Sequence, residues 1–323
     1  MPTRLLLLAL FAAACASGGP EPPARTPDDP GQQPAGADRP APTDEGLRER
    51  ARAAGLSDAQ ARQLVALDVA AVVPELPDGW TLTSLHTETI EESAIPYPSY
   101  TLAYRRADGA CFSLDAASEG IGDVFFDEPP HSREVEVPGI ATFGPAYVGW
   151  SGPGETAEGW ETPRVQTEWF GADGVFYNLG TMDDTEGCRP ISVEEATAIL
   201  QGLRYLDPGD DRTALGPMMP METMEEGANP DDFTGRTPDA AARRTFQQGD
   251  AREMEIATLR QTARRAVVLV TWLGLADDSI RDERVRVVYQ RDGNGVWVPS
   301  MLGKQVRCHA GRGHQDWGAE PCV

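Results

Sequence analysis

Five basic or titratable side chains, Lys304, Arg307, His309, Arg312 and His314, crowd into residues 304–314 of an otherwise acidic chain, which has 28 Lys+Arg against 51 Asp+Glu. Gly311 and Gly313 carry no side chains, so backbone amides between them can approach an anion as a nest while the flanking cations hold it. The chemistry that fits is capture of a glycan carboxylate or a lipid phosphate. A zinc site built from Cys308, His309, His314 and Cys322 is a rival, although its spacing matches no standard finger. His314 and Asp316 could orient one another as a general-base pair. No serine or cysteine carries a nucleophile-elbow motif, however, so no catalytic residue and no enzyme activity is predicted, and a hydrolase centred on His314 is the weakest reading. The plainest alternative is a closed C-terminal loop in which Trp317 packs on a sheet and Arg312 and His314 satisfy Asp316 or Gln315.

Other polar groups carry less. His86 and His131 sit in polar surroundings and read as solvated, as do Glu91-Glu92 and Glu225-Glu226. Asp277-Asp278 and Asp292-Gly293-Asn294-Gly295 are calcium-like in composition, but the second lacks the rest of an EF-hand loop and is more simply a hairpin turn. Met218, Met219, Met221 and Met224 are spaced closely enough for thioethers to hold Cu(I). With no histidine or cysteine nearby, docking of these adaptable side chains on a domain surface is the simpler reading. No metal or cofactor is therefore expected. The net charge of −23 repels phosphate backbones, which argues against nucleic-acid binding.

Periodicity locates the elements that would position these groups. Order begins near Leu47, and Gly55 breaks a first helical stretch. Ser57 and Gln60 form a capping box before the stripe Ala61, Leu64, Val65 and Leu67. Pro74 and Pro77 end that helix. A strand is predicted from Trp80 to Ile90, and a hairpin over 98–116, where Tyr100, Leu102 and Tyr104 alternate and Asp108-Gly109 turns the chain. Shorter strands are predicted at 132–138, 142–150, 163–170 and 174–181. Ser192 and Glu195 open another helix with Ala196, Ile199, Leu200 and Leu203 at helical spacing, ending before Pro208. Thr237 and Pro238 start a further helix. Strands are then predicted at 254–262 and 265–273, through Val285, Val287 and Tyr289, and from Val296-Trp297-Val298 to Cys308. This meander with one helix is similar to the cone-shaped nuclear-transport-factor-like fold, a comparison of fold only.

At the N-terminus, Arg4 precedes the apolar run Leu5–Ala14, and Ala13 and Ala14 lead into Cys15. Such a run is too short for a helix to cross roughly 30 Å of hydrocarbon, and its length is that of a signal-peptide core. The stretch resembles the signal peptide and lipobox of a bacterial lipoprotein, with Ala12 where that family usually carries leucine. The resemblance implies diacylglycerol on the Cys15 sulfur, cleavage before it, and anchoring at the outer-membrane periplasmic face or cell surface. An ordinary secretory signal cleaved near Ala16 or Ser17 is the alternative.

Export implies an oxidising compartment, in which Cys111, Cys188, Cys308 and Cys322 would form disulfides. Of the three pairings these allow, Cys111–Cys188 and Cys308–Cys322 are favoured because each lies within one apparent domain. In the chain-entropy model the two loops contribute about 4 and 3 kcal/mol.

The predicted organisation is a signal peptide (1–14), a lipidated cysteine and Pro-rich spacer (15–45), an α+β domain (46–207), an acidic Met- and Pro-rich linker (208–236) and a C-terminal α+β domain (237–323). The fold class expected is thus α+β, two small domains that each pack an antiparallel sheet with one or two helices. Three stretches resemble exported bacterial proteins with no assigned activity. They are Tyr104–Gly122 with Cys111-Phe112 and Gly120-Ile121-Gly122, Gly274-Leu275-Ala276-Asp277-Asp278-Ser279, and Gly303–Cys322 with Gly311-Arg312-Gly313-His314-Gln315-Asp316-Trp317. The function expected is a binding or structural module of the cell envelope, for an anionic ligand or a protein partner. A lipid or lipoprotein carrier with an apolar concave sheet is the alternative.

Overall fold

Helices require a start signal and an apolar stripe, and this chain supplies both at few places. The computed structural model describes residues 44–90, 97–118, 129–155, 163–172, 174–182, 187–221 and 233–323. Helix α1 (Asp44–Ala53) ends before Gly55, whose φ of 71° is costly for residues with a Cβ. Helix α2 (Asp58–Ala66) begins at the Ser57–Gln60 capping box, with Ala61 and Leu64 buried. Helix α3 (Val193–Gln201) begins at the Ser192–Glu195 box. Helix α4 (Pro238–Thr245) is capped by the Thr237 hydroxyl, which accepts from the Ala240 amide.

The remainder is dominated by strands, which overturns the α+β expectation. Three antiparallel sheets and few helices make the described chain mostly β. The largest sheet contains β2 (Trp80–Ile90), β3 (Tyr97–Arg106), β4 (Cys111–Ala117), β5 (His131–Val135), β6 (Ala146–Ser151), β7 (Arg164–Thr167), β8 (Phe170–Ala172) and β9 (Val175–Gly180). Its order is β2-β3-β4-β9-β7-β6-β5, with β8 pairing β9. A two-stranded sheet joins β1 (Val72–Pro74) to β10 (Leu203–Tyr205), so Leu203, expected to end a helix, instead starts a strand. The third sheet has the order β11-β15-β14-β13-β12, from β11 (Met219–Met221), β12 (Glu253–Gln261), β13 (Arg265–Leu273), β14 (Ile280–Arg291) and β15 (Trp297–Cys308). Strand β11 forms inside the stretch expected to be a linker. Residues 1–43 with Cys15, together with Glu91-Glu92, Gly120–Gly122, Met224 and Glu225-Glu226, lie outside the described residues.

Why the balance shifts toward β is visible in what covers each sheet face. In the first core, tyrosines on strands pin backbone from other segments. The Tyr100 hydroxyl donates to Val72 O (2.9 Å) and accepts from Val72 N (2.7 Å). Tyr104 donates to Ala54 O, Tyr177 donates to Ala70 O, and Tyr205 accepts from Ala141 N. All four are buried, so each hydroxyl both satisfies a buried peptide group and brings ring area into the core. In the third sheet, Val285, Val287 and Tyr289 face α4, against Ala241 and Ala242. The opposite face is covered by the first sheet and its loops rather than by a second helix. There Val267, Val288 and Met301 pack with Phe143, Phe176 and Leu259. Glycines permit this approach: a Cβ on Gly303 would collide with the Phe143 ring, and one on Gly171 with the Met301 methyl.

Polar groups complete this junction. Arg286 is fully buried, donates to Ala141 O at 2.7 Å and lies 4.4 Å over the Phe143 ring. Arg265 pairs with Asp210 at 2.8 Å, both 5% exposed, and Arg260 pairs with Asp207 at 2.8 Å. Asp68, in the left-handed region at φ 60°, accepts from the Arg264 amide at 2.9 Å.

Both expected cysteine pairs lie at disulfide distance, with Cα–Cα separations of 5.6 Å for Cys111–Cys188 and 5.5 Å for Cys308–Cys322. These bonds suit an oxidising, extracytoplasmic compartment. The first ties the β3–β4 hairpin to the segment before α3. There Asp108 bridges Arg106 and Arg189 at 2.8 and 2.7 Å, and Arg106 reaches Glu195 at 2.6 Å. Among the described residues no helix is long and apolar enough to cross a membrane.

Candidate functional site

Strand β15 carries the first cations of the basic segment, and the disulfide loop after Cys308 carries the rest. In the β14–β15 register Asp282 stands opposite Arg307. The Asp282 carboxylate is buried and serves as a hub: it accepts from the Gly274 amide at 2.9 Å and from Arg281 and Arg307 at 2.8 Å each. Burial raises its pKa, but the Gly274 bond and the two guanidiniums outweigh that and hold it below the usual carboxylate range. Arg307 also lies 4.4 Å over the Trp317 ring, and Arg284 lies 4.5 Å over the same ring. Arg284 donates to Gln305 Oε1 at 2.6 Å and to Leu215 O at 2.9 Å. Burial, and then the nearby Arg307 and Arg286, bring its pKa down to about 10.

The other expected site residues are dispersed by their partners. Lys304 approaches Glu283 at 3.6 Å, and Arg312 approaches Asp278 at 3.6 Å in an exposed pair. The His309 amide donates to Ser279 O, and its carbonyl accepts from Gln315. His314 has Nδ1 2.8 Å from Asp316 O and Nε2 2.8 Å from Glu320 O. Carbonyls only accept, so both bonds require the imidazolium form, and the Glu320 and Asp316 carbonyls accordingly raise the His314 pKa. With both nitrogens so engaged, His314 is not placed as a base toward a nucleophile. Cys308 and Cys322 are bonded to each other, and no group of three or more His, Cys, Asp or Glu among the described residues could hold a metal ion. Met218 is buried, and Met219 on β11 pairs in register with Lys304 on β15.

A different place gathers three arginines, Arg264, Arg265 and Arg291, alongside two aspartates, Asp68 and Asp292. A cleft of about 610 Å³ opens at the junction of the two larger sheets, between Asp68, Pro98, Ser118 and Gly174 on one side and residues 263–265 and 290–295 on the other. Arg264 and Arg291 line it and are exposed, and neither has a carboxylate partner among the described residues. Arg291 donates to Gly295 O at 3.3 Å and lies 6.0 Å from the Trp297 ring, and the two lining carboxylates keep their charge while accepting from backbone amides. Asp292 accepts from the amides of Asn294 (2.9 Å) and Val296 (2.7 Å), and Asp68 from the amide of Arg264. Gln290 is buried in the wall and donates to Ser118 O at 3.4 Å. The Arg265 guanidinium behind it is held by Asp210. The hairpin turn read from Asp292-Gly293-Asn294-Gly295 is present, Gly295 having φ 77°, and it forms one rim of the cleft.

No family model, curated protein or solved structure matches the chain.

Sequence reasoning missed Asp282 as the hub of the C-terminal loop, and Arg264 and Arg291 as cleft cations. For Asp282 the signal was present, since it stands two positions from Arg284 on an alternating strand. For the cleft there was none, because its walls are far apart in the chain.

Proposed function

We propose that this chain is a lipoprotein of the bacterial cell envelope that acts as a binding module, and that its ligand is anionic and sits in the cleft between the two larger sheets. The observation that carries this reading is the pair of exposed guanidiniums, Arg264 and Arg291, facing a cleft of about 610 Å³ with no carboxylate partner among the described residues. That volume falls in the range of small-molecule sites, roughly 300–1,000 Å³. Arginine's planar fork matches carboxylate and phosphate oxygens. In a molecule of net charge −23, a concavity whose described lining has three arginines against two aspartates is a local exception that favours an anion. The lipobox-like Ala-Ala-Ala-Cys15 supports the tether, and the two disulfides support export.

The test is mass spectrometry of the native protein after gentle extraction from its own envelope. The expected result is an N-terminus at acylated Cys15, together with a co-purifying anion that an Arg264→Ala/Arg291→Ala variant no longer retains. A native N-terminus at Met1, or an anion retained equally by that variant, would overturn the reading.

A further inference from the structure

A second concavity, of about 470 Å³, lies where β11 and β15 meet the end of β6 and the β7–β9 region. Its chemistry is the reverse of the arginine-lined cleft. Phe143, Tyr147, Trp169, Phe170 and Phe176 line it together with Met221 and Met301, and its one charged side chain among the described residues is the exposed carboxylate of Glu168. Pairing of β5 with β6 sets Glu134 opposite Tyr147, whose hydroxyl donates to Glu134 at 3.2 Å. The Glu168 amide donates to Tyr147 O at 2.9 Å, which sets Glu168 next to Tyr147 along the strand edge. Tyr147 is 41% exposed, an unusual setting for a large aromatic in this fold.

We propose that this aromatic cleft is a separate ligand site for an apolar molecule bearing an alkylammonium group. Aromatic faces carry negative electrostatic potential and attract quaternary ammonium, and the attraction grows as water is excluded. The rim carboxylate Glu168 complements the same charge. An acyl carboxylate or a phosphate head would meet no cation among the described lining residues and would face Glu168. The apolar remainder of the ligand would lie against Phe143, Phe176 and Met301, side chains already packed at the sheet junction. The flexible thioethers of Met221 and Met301 can adapt to its shape.

Calorimetric titration of the folded protein with dodecyltrimethylammonium, dodecanoate and a neutral dodecyl glycoside, all below their micellar concentrations, tests this. The expected result is saturable binding of the ammonium compound only. Glu168→Gln should weaken it by roughly fivefold to tenfold, and Trp169→Leu by a similar factor. Glu253→Gln, at an exposed carboxylate on the edge strand β12, should leave binding unchanged. It thereby separates the site from the general attraction of an acidic protein for cations. Arg264→Ala should also leave it unchanged, so failure here is distinguishable from failure of the anion reading. Equal affinity for the neutral or carboxylate compound, or a Glu168→Gln variant that binds like the wild type, would overturn the proposal.

Discussion

The C-terminal disulfide loop and the inter-sheet cleft are both rich in arginine, and they differ in what neutralises it. In the loop Arg307 faces Asp282, Arg312 faces Asp278, and even the imidazole of His314 is bracketed by two carbonyls. In the cleft the carboxylates of Asp68 and Asp292 accept from backbone amides, and no ion pair ties Arg264 or Arg291 to a carboxylate among the described residues, although Arg291 donates to Gly295 O at 3.3 Å. The number of cations in a segment therefore does not identify an anion site. What matters is whether the fold supplies their counter-charges from elsewhere in the chain.

The largest expected effect breaks the junction on which the cleft depends. Asp210→Ala would remove the carboxylate that Arg265 and Arg260 share, and removing one partner of a buried pair typically destabilises by about 3–5 kcal/mol. Urea unfolding followed by circular dichroism reads this directly; a loss below about 1 kcal/mol would show that the pair does not anchor the Pro208–Asp210 turn to β13.

Opening the loop comes next. Cys308→Ser/Cys322→Ser removes a crosslink spanning 14 residues, worth about 3 kcal/mol in the chain-entropy model. The thermal midpoint should fall while anion binding in the cleft persists. Loss of that binding would place the loop, rather than the junction, at the centre of function.

A smaller effect is pH-dependent. The His314 pKa is raised in the fold above its ordinary value of 6.5 by the Glu320 and Asp316 carbonyls. Its stabilising contribution is therefore complete below that ordinary value and is lost as pH rises through the raised one. The protection factor of the Cys308 amide, whose N–H donates to His314 O at 2.9 Å, should fall across that interval in the wild type once exchange is corrected for its intrinsic base catalysis. In His314→Gln that fall should be absent. Identical profiles for the two proteins would contradict the imidazolium assignment.

Much of the local structure was legible because its causes are local. The Ser57–Gln60 and Ser192–Glu195 boxes, the Trp80–Ile90 strand, the apolar run 265–273 and the Asp108-Gly109 turn each arise from residues a few positions apart. The disulfide pairing followed from placing each pair within one apparent domain, and both pairs lie at disulfide distance. The balance of the fold was not legible, because strand alternation tells which residues share a face but not what covers that face. Arg286 shows the difference: beside Val285 and Val287 it reads as the solvated side of a half-buried strand, yet it is fully buried against Phe143. The cleft was hidden for the same reason. Asp68 and Arg264, which join its walls, are 196 residues apart.

The most direct test of the central claim is calorimetric titration of inorganic phosphate and of glucuronate into the wild type, Arg264→Ala/Arg291→Ala, and Arg307→Ala/Arg312→Ala. Each charge-assisted hydrogen bond is worth about 1.5–3 kcal/mol, so the first double variant should weaken binding at least roughly tenfold with little change in thermal midpoint, and the second should bind like the wild type. Unchanged affinity in the cleft variant, with loss in the loop variant, would return the anion site to residues 304–314.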